Sequence, residues 1–409
     1  MNVLLVMSRL PYPFDTGAKI RTGNLIKALA GRHQIFLVAF GDEAKEREAV
    51  RVLEKYCRRV ICVPPRRYGI LRFMMNIFRR EPYNVEKYSS PGMERKISQL
   101  LAGGKIELIH CDSVQVSRNV RHARGVPKIL TEHNVESVIF RRYARRQKNP
   151  LKRLYAYLQW RKLRRYEFAM CREFDRCVTV SAEDARILTE QGQVPVERIT
   201  VVPNGVDLAY FQAGRAAGRP GMDANSVVFT GSMDWLPNID AVEYCVKRIM
   251  PLVWERVPHA KFYVVGRAPA GSLLRLAESE PRLVVTGAVD DVRPYVAAAG
   301  VFIVPLRIGG GTRLKILQAL AMSKAVVSTR IGAEGIEVTQ GTDIALADEP
   351  ADFAGKVVEL LESVPQRDAL GRQGRALVRQ RYAWEHIAQN LDRIWKETGA
   401  YEDTCTVVS

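Results

Sequence analysis

The chain has 409 residues, 47% hydrophobic and 26% charged, too long for one hydrophobic core and ordinary in composition for two globular domains. Lys and Arg number 62 against 44 Asp and Glu, a formal net charge of +18, which favours an anionic partner: nucleic acid, an acidic membrane leaflet or a phosphorylated substrate. Seven scattered cysteines without C-x-x-C spacing argue against a disulfide framework and a cysteine zinc site, and fit a reducing cytoplasm.

In chain order, Asn2–Met7 reads as a buried strand; Arg9, prolines and Asp15 follow too soon for a signal peptide. A Pro/Gly loop, Pro11–Gly17, leads to a helix near Thr22–Ala30 and strands at Gln34–Phe40, Leu108–Cys111 and Lys128–Glu132. The second half repeats the rhythm: strands at Ser226–Thr230, Lys261–Val265, Leu283–Gly287, Val301–Pro305, Ala325–Thr329 and Ile344–Ala347, with helices at Asn238–Val257 and Thr312–Met322. Short apolar runs alternating with helices predict α/β architecture: two doubly wound Rossmann-like lobes, each a parallel sheet covered on both faces. The boundaries fall as an N-terminal lobe 1–205, a C-terminal lobe 206–381, a final helix 382–399 that crosses back to the first lobe, and a flexible tail 400–409. The longest apolar run, Val296–Leu306, is about half the roughly 20 residues that span a bilayer.

The best chemical signal is Pro305-Leu-Arg-Ile-Gly-Gly-Gly-Thr-Arg-Leu-Lys315: a strand, three glycines, Thr312 suited to N-cap the next helix, then two cations. Backbone N–H groups at such a loop face an anion, and Arg313 and Lys315 can neutralise a diphosphate; a plain strand-to-helix turn with two surface cations is the alternative. Neither G-x-x-x-x-G-K-[ST] nor G-x-G-x-x-G is present, so neither a P-loop nor a dinucleotide fingerprint is supported. Gly231-Ser232 and Gly266 also follow strand ends, where ligands of open parallel sheets bind. Asp290-Asp291 reads as a helix N-cap, and the six histidines show no ligand spacing, so no metal site is expected.

These marks, together with Glu132-His-Asn134, Pro203-Asn-Gly-Val-Asp207, Val285-Thr-Gly-Ala-Val289, Gly309–Ala321 and Gly332-Ala-Glu-Gly335, resemble the GT-B glycosyltransferases, specifically the large retaining family four, over nearly the whole chain. The runs Gly231–Asn238 and Thr131–Glu136 further resemble sugar transferases associated with bacterial exosortase and exopolysaccharide loci. The resemblance implies an interlobe cleft and a metal-independent, hexosyltransferase-type enzyme without a cofactor. Its co-substrate is a nucleotide-diphosphate sugar; its acceptor is a lipid-linked sugar or a glycan. It assigns a catalytic role to His133, to which the cations Arg313 and Lys315 of the glycine-rich loop are added here, and donor binding falls to Gly17, Gly231, Ser232, Gly266, Thr286, Val289, Gly309, Gly310, Gly311, Thr312, Gln318 and Glu334. As a lone histidine, His133 also fits a helix cap or a core position.

The sequence departs from the family at three places. Both acids of its Glu-x7-Glu motif are replaced, by Gly310 and Gln318, and its Arg/Lys pair after Gly231 gives way to Asp234, Trp235 and Asn238. A Gln318 amide oxygen can still accept a ribose hydroxyl. Arg313 and Lys315 are then expected to carry the diphosphate charge, with Glu132, Glu136 and Glu334 as the nearest acids if a side-chain base exists. An epimerase of similar fold and an inactive nucleotide-sugar-binding protein are the competing readings.

Arg141–Arg176 holds thirteen Lys/Arg against three acids, net +10, with Leu151, Leu154, Tyr155, Leu158, Leu163, Tyr166 and Phe168 interleaved at helical spacing. Arg66–Arg80 mixes apolar and basic residues similarly. This cationic amphipathic segment predicts peripheral binding to the anionic inner face of the cell membrane; a solvated face packed on the lobe is the alternative, and no nucleic-acid motif accompanies the charge.

Overall fold

The computed structural model describes residues 1–400 except 15, 66–67, 148, 213–220 and 309–311. The chain divides into two compact units, Met1–Pro203 with Trp384 onward, and Asn204–Ala383.

The first unit is built on seven parallel strands: β1 (Asn2–Met7), β2 (Gln34–Phe40), β3 (Arg59–Val63), β4 (Leu108–Cys111), β5 (Lys128–Glu132), β6 (Arg176–Thr179) and β7 (Ile199–Val201). Their order is β3-β2-β1-β4-β5-β6-β7. The chain winds outward from β1 in one direction and from β4 in the other, so the switch point lies between β1 and β4. Strands β1, β2 and β4 are almost wholly buried and mostly apolar, as a sheet covered on both faces requires. The sequence reading misses β3, β6 and β7. Of these, β3 is a half-exposed edge strand, β7 has three residues, and β6 has four, beginning at the last residue of the basic run.

Helix α1 (Gly17–Leu29) follows β1, and the short α2 (Ile70–Met75) lies between β3 and β4. Helices α3 (Glu136–Arg146) and α4 (Pro150–Glu173) form a hairpin between β5 and β6. Asn149 starts α4 by accepting the Leu151 and Lys152 N–H groups at 3.0 and 3.1 Å. Helix α4 is amphipathic along its length as well as around it. Its C-terminal half buries Leu163, Phe168, Met170 and Cys171 in the core, while its N-terminal half leaves Leu151 and Leu154 77% and 55% exposed.

The helix Trp384–Ala400 completes the opposite layer of this unit, with Trp384, Ile387, Leu391, Ile394 and Trp395 packed among Leu25, Leu29, Leu5 and Ile35. Polar contacts fix its orientation. Asp392 accepts from His33 Nε2 at 2.7 Å and from Arg32 at 3.0 Å, and the Trp395 indole donates to His110 Nδ1 at 3.0 Å. With Nδ1 an acceptor, His110 Nε2 carries the proton and donates to Thr131 Oγ1 at 2.7 Å.

The second unit carries six parallel strands, β8 (Val227–Thr230), β9 (Phe262–Val265), β10 (Leu283–Gly287), β11 (Val301–Val304), β12 (Ala325–Ser328) and β13 (Ala345–Leu346), ordered β10-β9-β8-β11-β12-β13. Again the two strands at the centre, β8 and β11, mark a switch point. Helix α5 (Leu236–Tyr244) opens two residues earlier than the sequence suggests and does not run unbroken to Val257: a π-helical turn at Cys245–Ile249 separates it from a further helix, Met250–Arg256. Pro251 lacks the N–H that an α-helical turn there would use. Helix α6 (Leu314–Ala321) starts later than expected, with Arg313 rather than Thr312 at the cap.

Burial holds the His110 imidazole at about 4, below its ordinary 6.5. The folded protein therefore keeps it neutral while the unfolded chain takes up a proton, so this contribution is complete above pH 6.5 and is lost as pH falls toward about 4. Trp395→Ala removes a core side chain and the donor to His110, and is expected to cost about 3–5 kcal/mol in urea unfolding.

Candidate functional site

In the second unit the site begins with two backbones in contact. The β8–β9 ladder continues past the strand ends, with Gly231 N–H bonded to Val265 O at 3.0 Å and Met233 N–H to Arg267 O at 2.9 Å. This brings Gly266 so close that a Cβ there would lie 1.6 Å from the Gly231 carbonyl oxygen. Gly231 is tight on its other side as well: a Cβ would lie 2.7 Å from Asn238 Nδ2 and 2.9 Å from Lys315 Nζ. The backbone contact requires glycine at 266, and glycine at 231 leaves the space that the Asn238 and Lys315 side-chain ends occupy.

Lys315 therefore extends from α6, which follows β11, across the switch point to the end of β8. Its Nζ donates to Asn238 Oδ1 at 3.0 Å and sits 3.9 Å from the centre of the Phe229 ring. Asn238 is fixed in turn, its Nδ2 donating to Ser232 O at 2.8 Å. Burial, and then the charge of Arg313, push the Lys315 ammonium well below the usual lysine range. Gln318, one turn along α6, shares a helix face with Lys315. Ser232 Oγ donates to Asp234 at 2.6 Å and accepts from Arg267 Nε at 3.2 Å.

Beyond β11, Gly309, Gly310 and Gly311 lie outside the described residues. Thr312 does not cap α6; its hydroxyl donates to Gly335 O at 3.4 Å, linking this loop to the turn that contains Glu334. That turn is stacked on the end of β11, since a Cβ on Gly332 would lie 2.7 Å from Val304 O. Thr286 and Val289 lie at and beyond the end of the edge strand β10, two strands from β8, and the Thr286 hydroxyl donates to Gly287 O at 2.9 Å. Asp291 accepts the Arg293 N–H at 2.9 Å at the start of a short helix and pairs with the Arg293 guanidinium, so that acid is committed locally.

In the first unit, Asp112 follows β4 and His133 follows β5, both at the carboxyl end of the sheet. Asp112 Oδ1 accepts the Thr22 hydroxyl at 3.0 Å, and Oδ2 lies 3.1 Å from His133 Nε2. Gly17 is the first residue of α1 rather than a loop residue, at the same end of the sheet. Arg21, buried in α1, donates to Val202 O at 2.7 Å and Pro203 O at 2.6 Å, and its burial lowers it to about 10.

The acids beside His133 are not free bases. Glu132 is buried, 3.8 Å from the Cys171 sulfur, and burial together with Glu167 raises it well above the carboxylate range. Glu167, fully buried, accepts from Ser137 and is held at about 8, chiefly by burial. Glu136 is likewise raised by burial. The difference is one of position: Glu132 is the last, buried residue of β5, while His133 lies just past the strand end and is only half-buried.

Residues 16–210 match the family model described as Glycosyltransferase Family 4, and residues 224–363 match the one described as Glycosyl transferases group 1. The chain is a glycosyltransferase of GT-B fold. It is 19% identical to an uncharacterized 44.6 kDa protein in the cps region of Klebsiella pneumoniae, over 95% of this chain and 98% of that one. It is 22% identical to an uncharacterized glycosyltransferase of Methanocaldococcus jannaschii, over 96% and 98%. The structure of Anabaena HepE in complex with UDP superposes with a TM-score of 0.70 at 16% identity, over 97% of this chain and 100% of that one.

Of the residues nominated from sequence for this glycosyltransferase, the fold gathers Gly231, Ser232, Gly266 and Lys315 at one strand-end cluster and joins Thr312 to the Gly335 turn. It separates Thr286 and Val289 from them by the width of β9. Sequence reasoning overlooked Asp112 and gave Asn238 no role of its own. Asp112 follows a buried strand directly, the signal that could have found it; Asn238 is seen only once its amide is placed between Ser232 and Lys315.

Gly266→Ala forces the two strand ends apart and is expected to destabilise the second unit by about 1–3 kcal/mol in urea unfolding, while Gly341→Ala, with nothing near its Cβ, loses only what its positive φ of 76° costs. Because Glu167 is protonated when folded and ionised when unfolded, its contribution is complete below pH 4.5 and is lost as pH rises toward about 8. Glu167→Gln should shrink that alkaline decline, read as urea midpoints across the same interval.

Proposed function

We propose that the protein transfers a hexose from a nucleotide-diphosphate sugar, with retention of anomeric configuration and without a metal, to a lipid-linked or polysaccharide acceptor in cell-surface or exopolysaccharide synthesis. The observation that carries the donor half is Lys315 held by Asn238 against Gly231 at the switch point of the second sheet. A depressed, partly buried ammonium beside glycine-only backbone suits a diphosphate, which restores the charge of the lysine on binding. The UDP bound to HepE and the cps-region relative support the donor class and the setting.

Departure of a diphosphate from the anomeric carbon develops negative charge, and preorganised cations and N–H donors stabilise such charge by roughly 3–4 kcal/mol per donor in comparable sites. In this reading Arg313 and Lys315 supply the cations, Gly309–Gly311 and Thr312 the loop, and Gln318 the ribose contact. The leaving phosphate oxygen takes the acceptor proton on the same face, so no carboxylate base is needed, in keeping with the burial of Glu132 in the core. His133, oriented by Asp112, addresses the sugar hydroxyls. Among the described residues no helix is long and apolar enough to cross a membrane, and the cationic α3–α4 hairpin supports peripheral attachment at an anionic inner leaflet.

UDP or another nucleoside diphosphate should raise the thermal midpoint, by about 2.7 kcal/mol of stabilisation at a hundredfold excess over Kd. Lys315→Ala with Arg313→Ala should weaken that shift and lower kcat/KM more than about tenfold without unfolding the protein; an unchanged rate removes both residues from the mechanism. Donor affinity should fall as pH rises through the depressed range of Lys315, and this dependence should be missing in Lys315→Ala.

A further inference from the structure

From Ser137 to Tyr166 the chain contains no Asp or Glu and eleven Lys or Arg. On one side of the α3–α4 hairpin a cavity of about 560 Å³ is walled by Arg141, Arg145 and Arg153 together with Leu154, Tyr157 and Trp160. Among the described residues no acid lines it, and its aromatic wall is assembled: the Tyr157 and Trp160 rings are 5.2 Å apart, with the Arg141 guanidinium 5.6 Å from the Trp160 ring centre. Leu154 and Tyr157 are 55% and 46% exposed, on the half of α4 that leaves the core.

A soluble protein has no reason of stability to hold three like charges around an apolar hollow, because their mutual repulsion and the exposed apolar area both cost free energy. The combination fits a ligand with both properties. We infer that this cavity binds a phosphate-headed lipid, with the phosphate among Arg141, Arg145 and Arg153 and the start of an acyl or prenyl chain against Leu154, Tyr157 and Trp160. Guanidinium groups suit the phosphate through charge-assisted hydrogen bonds, and Trp and Tyr suit the boundary between headgroup and chain. An apolar contact and a basic cluster together give durable attachment where either alone is marginal. This assignment rests on the peripheral-membrane part of the function proposed above and is independent of the donor site.

The test uses the full chain and dodecyl phosphate, with inorganic phosphate and dodecyl maltoside as the two half-ligands, followed by Trp160 fluorescence against a Trp160→Phe control. Vesicles of phosphatidylcholine with and without phosphatidic acid, some with brominated chains, complete the set. Dodecyl phosphate should bind, both half-ligands should bind at least about tenfold more weakly, and brominated phosphatidic acid vesicles should quench Trp160. Arg145→Glu with Arg153→Glu should reduce binding to phosphatidic acid vesicles roughly tenfold or more, and Leu154→Ser with Tyr157→Ser should abolish the bromine quenching. Each double variant should keep the wild-type UDP thermal shift, which separates failure here from failure of the donor site. Equal binding of inorganic and dodecyl phosphate, equal recovery on vesicles without phosphatidic acid, or indifference to both double variants overturns the assignment.

Discussion

Two main chains meet where side chains would ordinarily hold them apart. The end of β9 presses on the end of β8 through Gly266 and Gly231, and the rest of the second unit's chemistry follows from that contact. The absence of a Cβ at Gly231 leaves room for the Lys315 ammonium and the Asn238 amide at the strand end, and Asn238 ties the lysine to the Ser232 carbonyl. A lysine rooted in the helix after β11 is thereby delivered to the mouth of β8. The topology puts those two segments side by side because the sheet changes winding direction between them.

The first unit solves a related problem with side chains. Asp112 binds both Thr22 of α1 and His133 beyond β5, joining three segments at the switch point. One residue earlier, at the end of β5, Glu132 lies in a buried acidic group with Glu167, and burial raises both carboxyls above the carboxylate range. Two neighbouring residues thus differ in burial: His133 stays partly exposed past the strand end, and Glu132 is sealed in the core.

The buried central strands were legible in the sequence because continuous Val, Leu and Ile runs have one reading in a parallel sheet: β1, β2, β4 and β5 begin and end where the residues suggested. Edge strands were not. Strand β3 is half exposed and β7 is three residues long, so neither carries a hydrophobic run that stands out from its surroundings. The glycines at strand ends could be read, since few other positions demand them. Asn238 could not, because its importance lies in holding the side chain of a residue far along the chain. Thr312 shows the limit of local rules: a residue placed well to cap a helix spends its hydroxyl on the Gly335 turn instead.

The helix Trp384–Ala400 belongs to the first unit although the whole of Asn204–Ala383 is synthesised before it. Until it emerges from the ribosome, the apolar layer formed by Leu25, Leu29 and Ile35 has no cover for Trp395 and Leu391 to provide. At about 5–20 residues per second that interval lasts roughly 10–40 s. For that interval the nascent chain carries an incomplete first unit with a hydrophobic flank exposed, and a protein shortened by a late stop codon would lose the first unit's integrity while leaving the second intact.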